Sequence, residues 1–589
     1  MRTRISLAFA LTLLLTSCGA GSATFFNSSH VLAASGSYAN PLRITLPDSS
    51  LAESCPDPSV IHGQAPGDNY WYMYCTNERF HDGGYVHLLP ISKSLDLVNW
   101  AYVGDVFSRN PPWTAGDNLL WAPDIQYFNG KYYLYYSVAN TTMGGAAIYV
   151  VTSDSPTGPW TPILKPVVEP EPVPNRGMRS TIDSFVLQDG NQRYIFYGSF
   201  NGGISVRLLS ADGLSSDKST EVQVAQSDRY EGAYVVKHDG YFYLMVSAGG
   251  CCAGQLSGYG VYVARSQNPL GPYIDKDGNS MMDARVGGTP ILTMNGNRWI
   301  GPGHNAVVTD AAGQDWMMYH AIDINKPTFS GSWTRRPVML DPITWIDGWP
   351  LVRGGAGPSD DVQASPILDS TTPSTYLSTA APMDAPGALI GSASDEFAGT
   401  ELSPQWSWIR RPGNGSFAVA NGVFRFDTQN AELYQGRHDA AILSEAAPTG
   451  DYMVEVKLAT SEPQNGVYNF VQGGLVIYKN DASYVKLVAS SINTTRQIEF
   501  AKQIPTLGSP LYGATFLASP ADATYLRLVR RSVSGHETYT AYSSHDGMNW
   551  ERGGTWTHTL GPNARIGLVS MSGAGFQTYF DYVRVYSLQ

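Results

Sequence analysis

Charge is scarce in this chain. Only 15% of its residues are Asp, Glu, Lys or Arg, and the 38 basic residues are outnumbered by 50 acidic ones, for a net charge of −12. Binding to nucleic-acid phosphates or an anionic bilayer needs a basic face, so both are excluded as non-specific activities. Cysteine is also rare, at 5 residues, and no Cys/His spacing matches a zinc site. What is abundant points elsewhere. Hydrophobic residues make up 43% and aromatics 12%, with 35 Tyr and 14 Trp, which is too much core-forming material for a disordered chain. The 60 Gly and 37 Pro interrupt long elements and suit short strands joined by turns. A length of 589 residues exceeds the roughly 150 expected of one domain, so more than one core is needed. The composition therefore indicates an all-β, aromatic, acidic protein.

Arg2 and Arg4 precede an apolar run from Ile5 to Leu15. That run is too short to cross a hydrocarbon core of about 30 Å as a helix and reads as an export signal over residues 1–17. It ends in Leu15-Thr16-Ser17-Cys18, which resembles the bacterial lipobox and makes Cys18 the lipidated residue, with a tether to residue 40. The alternative is an ordinary signal cut nearer Ala34. The expectation is a secreted lipoprotein on the cell surface or in the periplasm, meeting the membrane only through its lipid. The remaining four cysteines form an even count, which in an exported protein suits disulfides. Cys55–Cys75 would clip two neighbouring strands, and Cys251 and Cys252 form either a vicinal bridge or a pair of buried thiols.

Internal repeats organise the amino-terminal part. Five segments share a polar or acidic residue, a short apolar strand, a turn and a second strand rich in Tyr, Phe and Trp. They start at Asp57, Asp124, Asp183, Glu231 and His304, and their second strands lie at 70–75, 132–138, 194–198, 241–247 and 316–320. A second motif recurs in phase: Ser153–Trp160 matches Ser266–Tyr273, and Ser92–Trp100 is a looser copy. Two motifs repeating together are the mark of propeller blades, each of four strands, and five copies predict five blades over residues 41–353. Residues 354–394 are rich in Gly, Ser, Thr, Pro and Ala and read as a linker. Beyond it, seven or more alternating strands predict a β-sandwich over residues 395–589.

The first strand of a propeller blade lines the central axis, so the heads of these strands converge on one funnel. Asp57, Asp124, Asp183, Glu231 and His304 hold equivalent or near-equivalent places there. Several carboxylates crowded in a partly desolvated funnel repel one another, which makes a purely structural role costly. Facing carboxylates with aromatic platforms suit glycoside hydrolysis, in which one carboxyl protonates the leaving oxygen and the opposite carboxylate takes a proton from water. A third carboxylate beside the acid raises its pKa by repulsion.

Pro56-Asp57-Pro58-Ser59-Val60-Ile61, Trp121-Ala122-Pro123-Asp124, Ile182-Asp183, Tyr230-Glu231-Gly232 and Gly303-His304-Asn305 together resemble the five-bladed enzymes of glycoside hydrolase family 43, over about residues 50 to 353. The resemblance implies an inverting mechanism with Asp57 as general base, Glu231 as general acid and Asp183 as the residue that tunes and orients the acid. It implies substrate contacts from Trp121, Asp124, Phe200 and Asn201, with a blade-end structural role as the equal alternative for Asp124. His304 is implied as a ligand of calcium on the propeller axis, water completing the shell, or else as a hydrogen-bonded core histidine. Gly198-Ser199-Phe200, Gly249–Gly254 and Asp341–Pro350 favour the arabinanase-like branch, hence arabinose-containing polysaccharide or oligosaccharide. Asn201, Ser184 and Cys55 depart from that branch, so a β-xylosidase or another furanosidase stays open. From a different class, the rival is a surface glycan-binding protein without turnover. The carboxy-terminal part, beginning Asp395-Glu396-Phe397 and running through Trp406-Ser407-Trp408, looks like the concanavalin-type sandwich of some family members; it either binds glycan or braces the propeller. A monomer is expected.

Overall fold

The computed structural model describes residues 36–331, 333–374, 376, 379–413 and 415–588. The expected export signal and Cys18 lie outside the described residues. Five sheets radiate from one axis. Their innermost strands are Ser59–His62, Leu120–Phe128, Phe185–Asp189, Glu231–His238 and Trp299–Thr309. Each pairs antiparallel with the next strand in the chain, respectively Trp71–Tyr74, Lys131–Val138, Gln192–Tyr197, Tyr241–Ala248 and Asp315–Asp323. These second strands read as continuous apolar runs because both faces of a blade are covered by neighbouring blades; in Lys131–Val138 every residue after Lys131 is buried. The five-bladed propeller expected from the repeats is therefore the observed fold.

A separate amino-terminal strap closes the ring. Arg43–Thr45 adds a parallel fifth strand to the first blade beside Asn99–Asp105. Just before it the chain lies on the fifth blade, where Leu42 N donates to Val338 O at 2.9 Å and Asn40 donates to Leu340 O at 3.0 Å and Ser359 Oγ at 2.8 Å. Ser37–Tyr38 in turn pairs with Gln363–Ala364. The end of the expected tether and the start of the expected linker are thus partners across the closure. The stretch 354–394 is laid on the propeller as well: Ile367 N donates to Asp310 Oδ2 at 3.0 Å, and the Tyr376 ring packs edge-on against Trp316. Its Gly/Ser/Thr composition reports a lack of periodicity and says nothing of its contacts.

The carboxy-terminal part is a sandwich of an eight-stranded and a seven-stranded antiparallel sheet. Alternation builds it, as in Val423–Asp427, where Phe424 and Phe426 point inward and their neighbours are half-exposed. Ile300 and Ile322 of the fifth blade, with Met294 of the segment that leads into it, belong to the same buried cluster as Trp556, Phe500 and Leu517 of the sandwich. One apolar core therefore runs across the two domains.

Candidate active site

At one equivalent position along each blade's innermost segment, before the strand in some blades and within it in others, a residue adopts the left-handed backbone conformation: Asp57 (φ 53°), Ala122 (45°), Asp183 (60°), Gly232 (61°) and His304 (50°). This region disfavours side chains, so its recurrence in five blades marks a position held by its surroundings. A common latch holds it. The amide of each such residue points at the preceding blade: Ala122 N to Thr76 Oγ1 (2.7 Å), Asp183 N to Ser137 Oγ (2.8 Å), His304 N to Ser247 Oγ (2.9 Å) and Asp57 N to His320 Nδ1 (3.3 Å). In the fourth blade Gly232 N donates instead to the Asp183 carboxylate at 3.1 Å. Around the funnel this register presents Asp57, Ala122, Asp183, Gly232 with Glu231 just before it, and His304.

Asp124 is not part of that ring, which corrects the sequence expectation. It sits two residues deeper, in the register of Ser59: Ser59 Oγ receives Ile125 N at 3.1 Å, and Asp124 Oδ2 receives Val186 N at 2.8 Å. Burial raises its pKa to about 7 against hydrogen bonds from Val186 and Gln126, and it lies outside the cavity, so its work is to join two blades. Acidic character places Asp124 opposite Asp57 in the repeat, whereas Pro58 and Pro123 carry the true register and set Ala122 against Asp57.

A cavity of about 380 Å³ opens over the ring, lined by Asp57, Asp183, Glu231, Trp121, Tyr259, His304, Trp333, Arg336 and the Cys251–Cys252 pair among others. Asp57 sits between a guanidinium and two imidazoles. Arg336 Nη1 is 3.2 Å from its Oδ1, His320 Nδ1 is 3.2 Å and His304 Nδ1 is 3.5 Å from the same oxygen, and Thr76 Oγ1 donates to Oδ2 at 2.6 Å. Burial by itself would push this carboxyl up, but Arg336, His304 and His320 together hold it well below the ordinary carboxylate range. Glu231 is fixed at both oxygens, by Tyr259 OH at 2.7 Å and Ser199 Oγ at 2.8 Å. Burial raises its pKa in spite of those two donors. Asp183 is raised well above its ordinary value, by burial first and then by the carboxylates of Glu231 and Asp57. The repulsion expected to fall on the acid is thus expressed mainly in its neighbour. One buried carboxyl pushed up and one pushed down, lining a single cavity, are the arrangement that paired acid and base catalysis requires.

Other expected residues separate clearly. Trp121 lines the cavity; Phe200 and Asn201 do not. The Asn201 amide donates to Arg176 O at 3.1 Å and Met178 O at 2.6 Å, so it braces the hairpin of Pro172–Val173 and Gly177–Met178 and is not free for a substrate. Both cysteine pairs are bonded, Cys55–Cys75 and Cys251–Cys252. His304 faces Asp57 and, at 3.9 Å, Asp183. Among the described residues no group of three or more His, Cys, Asp or Glu side chains is spaced to hold a metal ion. These residues do not by themselves fit a calcium cage, whose hard cation takes six to eight oxygens, and no step below runs through one. Arg336, Tyr259, Trp333 and His320 escaped the sequence reading. Arg336 and Tyr259 lie outside the repeated motif, and only the doubled Arg335-Arg336 before Pro337 offered a signal.

Residues 50–350 match the description "Glycosyl hydrolases family 43", and residues 394–577 match "Beta xylosidase C-terminal Concanavalin A-like domain". An extracellular exo-α-(1→5)-L-arabinofuranosidase of Cellvibrio japonicus is 30% identical over 305 residues, which are 48% of this chain and 82% of that protein. An extracellular endo-α-(1→5)-L-arabinanase of Bacillus subtilis is 32% identical over 278 residues, 44% of this chain and 79% of that protein. The structure of an α-L-arabinanase of Cellvibrio cellulosa shares 28% identity, covering 51% of this chain and 95% of that one, with a TM-score of 0.43.

Proposed function

The chain belongs to glycoside hydrolase family 43 and is a glycosidase, and from that premise we propose that it hydrolyses α-L-arabinofuranosyl linkages with inversion, Asp57 acting as base and Glu231 as acid. The observation that carries this reading is the opposed displacement of two carboxyls lining one cavity, Asp57 held well below the carboxylate range by Arg336, His304 and His320, and Glu231 pushed up by burial while Tyr259 and Ser199 fix both its oxygens. Asp57 takes a proton from a water as that water attacks the anomeric carbon. Glu231 gives its proton to the departing glycosidic oxygen. The bond to the leaving group breaks as the bond to water forms, and exchange with solvent resets both carboxyls. Trp121 and Trp333 offer flat surfaces for sugar rings at the cavity wall. Asp183 orients the acid by receiving Gly232 N from the residue that follows it, and its carboxyl and that of Glu231 repel each other, which disfavours ionising both.

Arabinose is favoured because the two relatives above are arabinan-acting. A β-xyloside is the second reading, favoured by the β-xylosidase description of the carboxy-terminal domain. Measuring sugar release from linear and debranched arabinan, arabinoxylan and aryl glycosides of both sugars decides between them: arabinose release with no xylose is the expected result, and xylose release alone would overturn it. In the same panel Glu231→Gln should lose a factor on the order of 10² to 10⁴ on substrates with poor leaving groups and much less on those with acidic ones. Equal losses on both would remove Glu231 from the acid role. We also propose export with a lipid on Cys18; the naming of both relatives as extracellular supports the export.

A further inference from the structure

Glu231 begins its strand directly after Asp228-Arg229-Tyr230, and this approach segment is held by the other domain. Arg229 is 2% exposed. Its Nη1 donates to Gln497 Oε1 at 3.0 Å and its Nη2 to Leu517 O at 2.8 Å, while Gln497 Nε2 returns a hydrogen bond to Asp228 O at 3.0 Å. The guanidinium lies over Phe516 (4.5 Å), Tyr262 (4.8 Å) and Tyr230 (5.1 Å). Among the described residues no carboxylate stands within ion-pair distance of it. A buried cation without a counter-ion is costly unless ring faces and neutral oxygens compensate, so this packing tolerates little displacement.

The opposite wall of the acid is held by the same part of the sandwich. Tyr259, which donates to Glu231 Oε1, follows the turn Gly254–Leu256 and Gly258. A Cβ on Gly258 would collide with the Ala514 carbonyl, and a Cβ on Gly513 would collide with the Leu256 carbonyl. Two glycines facing each other across the boundary thus let backbone meet backbone there. Tyr262 OH adds a hydrogen bond to Phe516 O at 2.6 Å. Gln497 lies in Thr495–Ile504, and Gly513, Ala514 and Phe516 lie in its partner Leu511–Phe516, so one edge of one sheet reaches both supports of Glu231.

We propose that the sandwich is a positioning element for the acid, gripping Arg229 ahead of Glu231 and the Gly258–Tyr259 turn beside it so that the carboxyl is aimed at the leaving oxygen. This rests on the acid role of Glu231 proposed above. Domain packing alone would make interface changes cost stability and lower every activity alike. Positioning of an acid has a different signature, because a substrate whose leaving group needs no proton does not report on it.

The test uses the full chain with Gln497→Ala and, separately, Gly513→Ala, both remote from the cavity. Rates are measured below each variant's melting midpoint on an arabino-oligosaccharide and on 2,4-dinitrophenyl α-L-arabinofuranoside, with pH–rate profiles and Glu231→Gln in parallel. The expected result for each variant is a loss on the order of 10-fold with the oligosaccharide, within about twofold of wild type with the dinitrophenyl substrate, and a displaced alkaline limb. Equal losses on both substrates, or rates unchanged on both, would overturn the positioning role while leaving the acid in place, provided Glu231→Gln itself discriminates between the leaving groups. A Glu231→Gln that fails to discriminate overturns the acid role and the positioning role together.

Discussion

Asp57 and Asp183 occupy the same left-handed backbone position at the heads of two blades, yet their neighbours shift them in opposite directions. Burial acts on both; the Arg336 guanidinium, with the His304 and His320 rings beside it, overcomes burial at Asp57, while two carboxylates add to it at Asp183. The asymmetry has a consequence for stability. A carboxyl whose folded pKa lies above its ordinary value of 3.8 binds more protons in the folded state, so stability falls as pH rises from about that value toward the folded pKa. At neutral pH the native protein therefore carries a cost at Asp183. Asp183→Asn removes the titrating group and keeps an oxygen for Gly232 N–H. Its melting temperature should exceed that of wild type by a few degrees at pH 7 and match it near pH 3, while activity falls and the alkaline limb of the pH–rate profile moves down. Melting curves at the two pH values check this; a lower melting temperature at pH 7 would make Asp183 a strand cap.

At the scale of the blade, the recurring device is a hydroxyl near the end of the second strand that receives the amide heading the next blade. Thr76, Ser137 and Ser247 serve three junctions, and His320 serves the fourth, where the fifth blade meets the first. Ser137 is fully buried, so Ser137→Ala leaves the Asp183 amide without its acceptor, at a cost of about 1–3 kcal/mol. A fall in melting temperature of several degrees is expected, with a loss of activity larger than that of a buried serine facing away from the funnel. An unchanged melting temperature would show that the latch bears no load. The hairpins were legible because their Tyr-rich second strands repeat in sequence. The latch was not, since a lone Ser or Thr at a strand end carries no pattern, and Asp124 was misplaced because an acid two residues off register looks the same as one in register until the blades are stacked.

For the whole molecule, closure and attachment depend on segments at the two domain edges. The amino-terminal strap unites the first and fifth blades, and the chain beyond it carries the proposed export signal and lipid. One acyl chain binds a bilayer only marginally, so firm anchoring needs several chains on Cys18. Wild-type protein should fractionate with membranes and Cys18→Ala should be released; a wholly soluble wild type would refute the anchor. The sandwich in turn shares its core with the fifth blade through Ile300 and Ile322, and with the segment that leads into it through Met294. Every residue lining the described cavity comes from the propeller, so among the described residues the sandwich meets the segments that carry Glu231 and Tyr259 without entering the cavity itself.

The amino-acid sequence by itself determined the strand pattern, the blade count and the succession of propeller and sandwich, and it singled out three acids that line one cavity. Apolar periodicity and repeated motifs are local properties, legible along a single chain. Tertiary structure alone decided which acids meet. Asp57 and Arg336 are 279 positions apart and His304 reaches both Asp57 and Asp183, so the charge state of each carboxyl is set by residues the ring closure brings together. The same holds for the grip on Arg229 by Gln497 and Leu517. Electrostatic and packing energies depend on distance in space, and sequence separation carries no record of that distance.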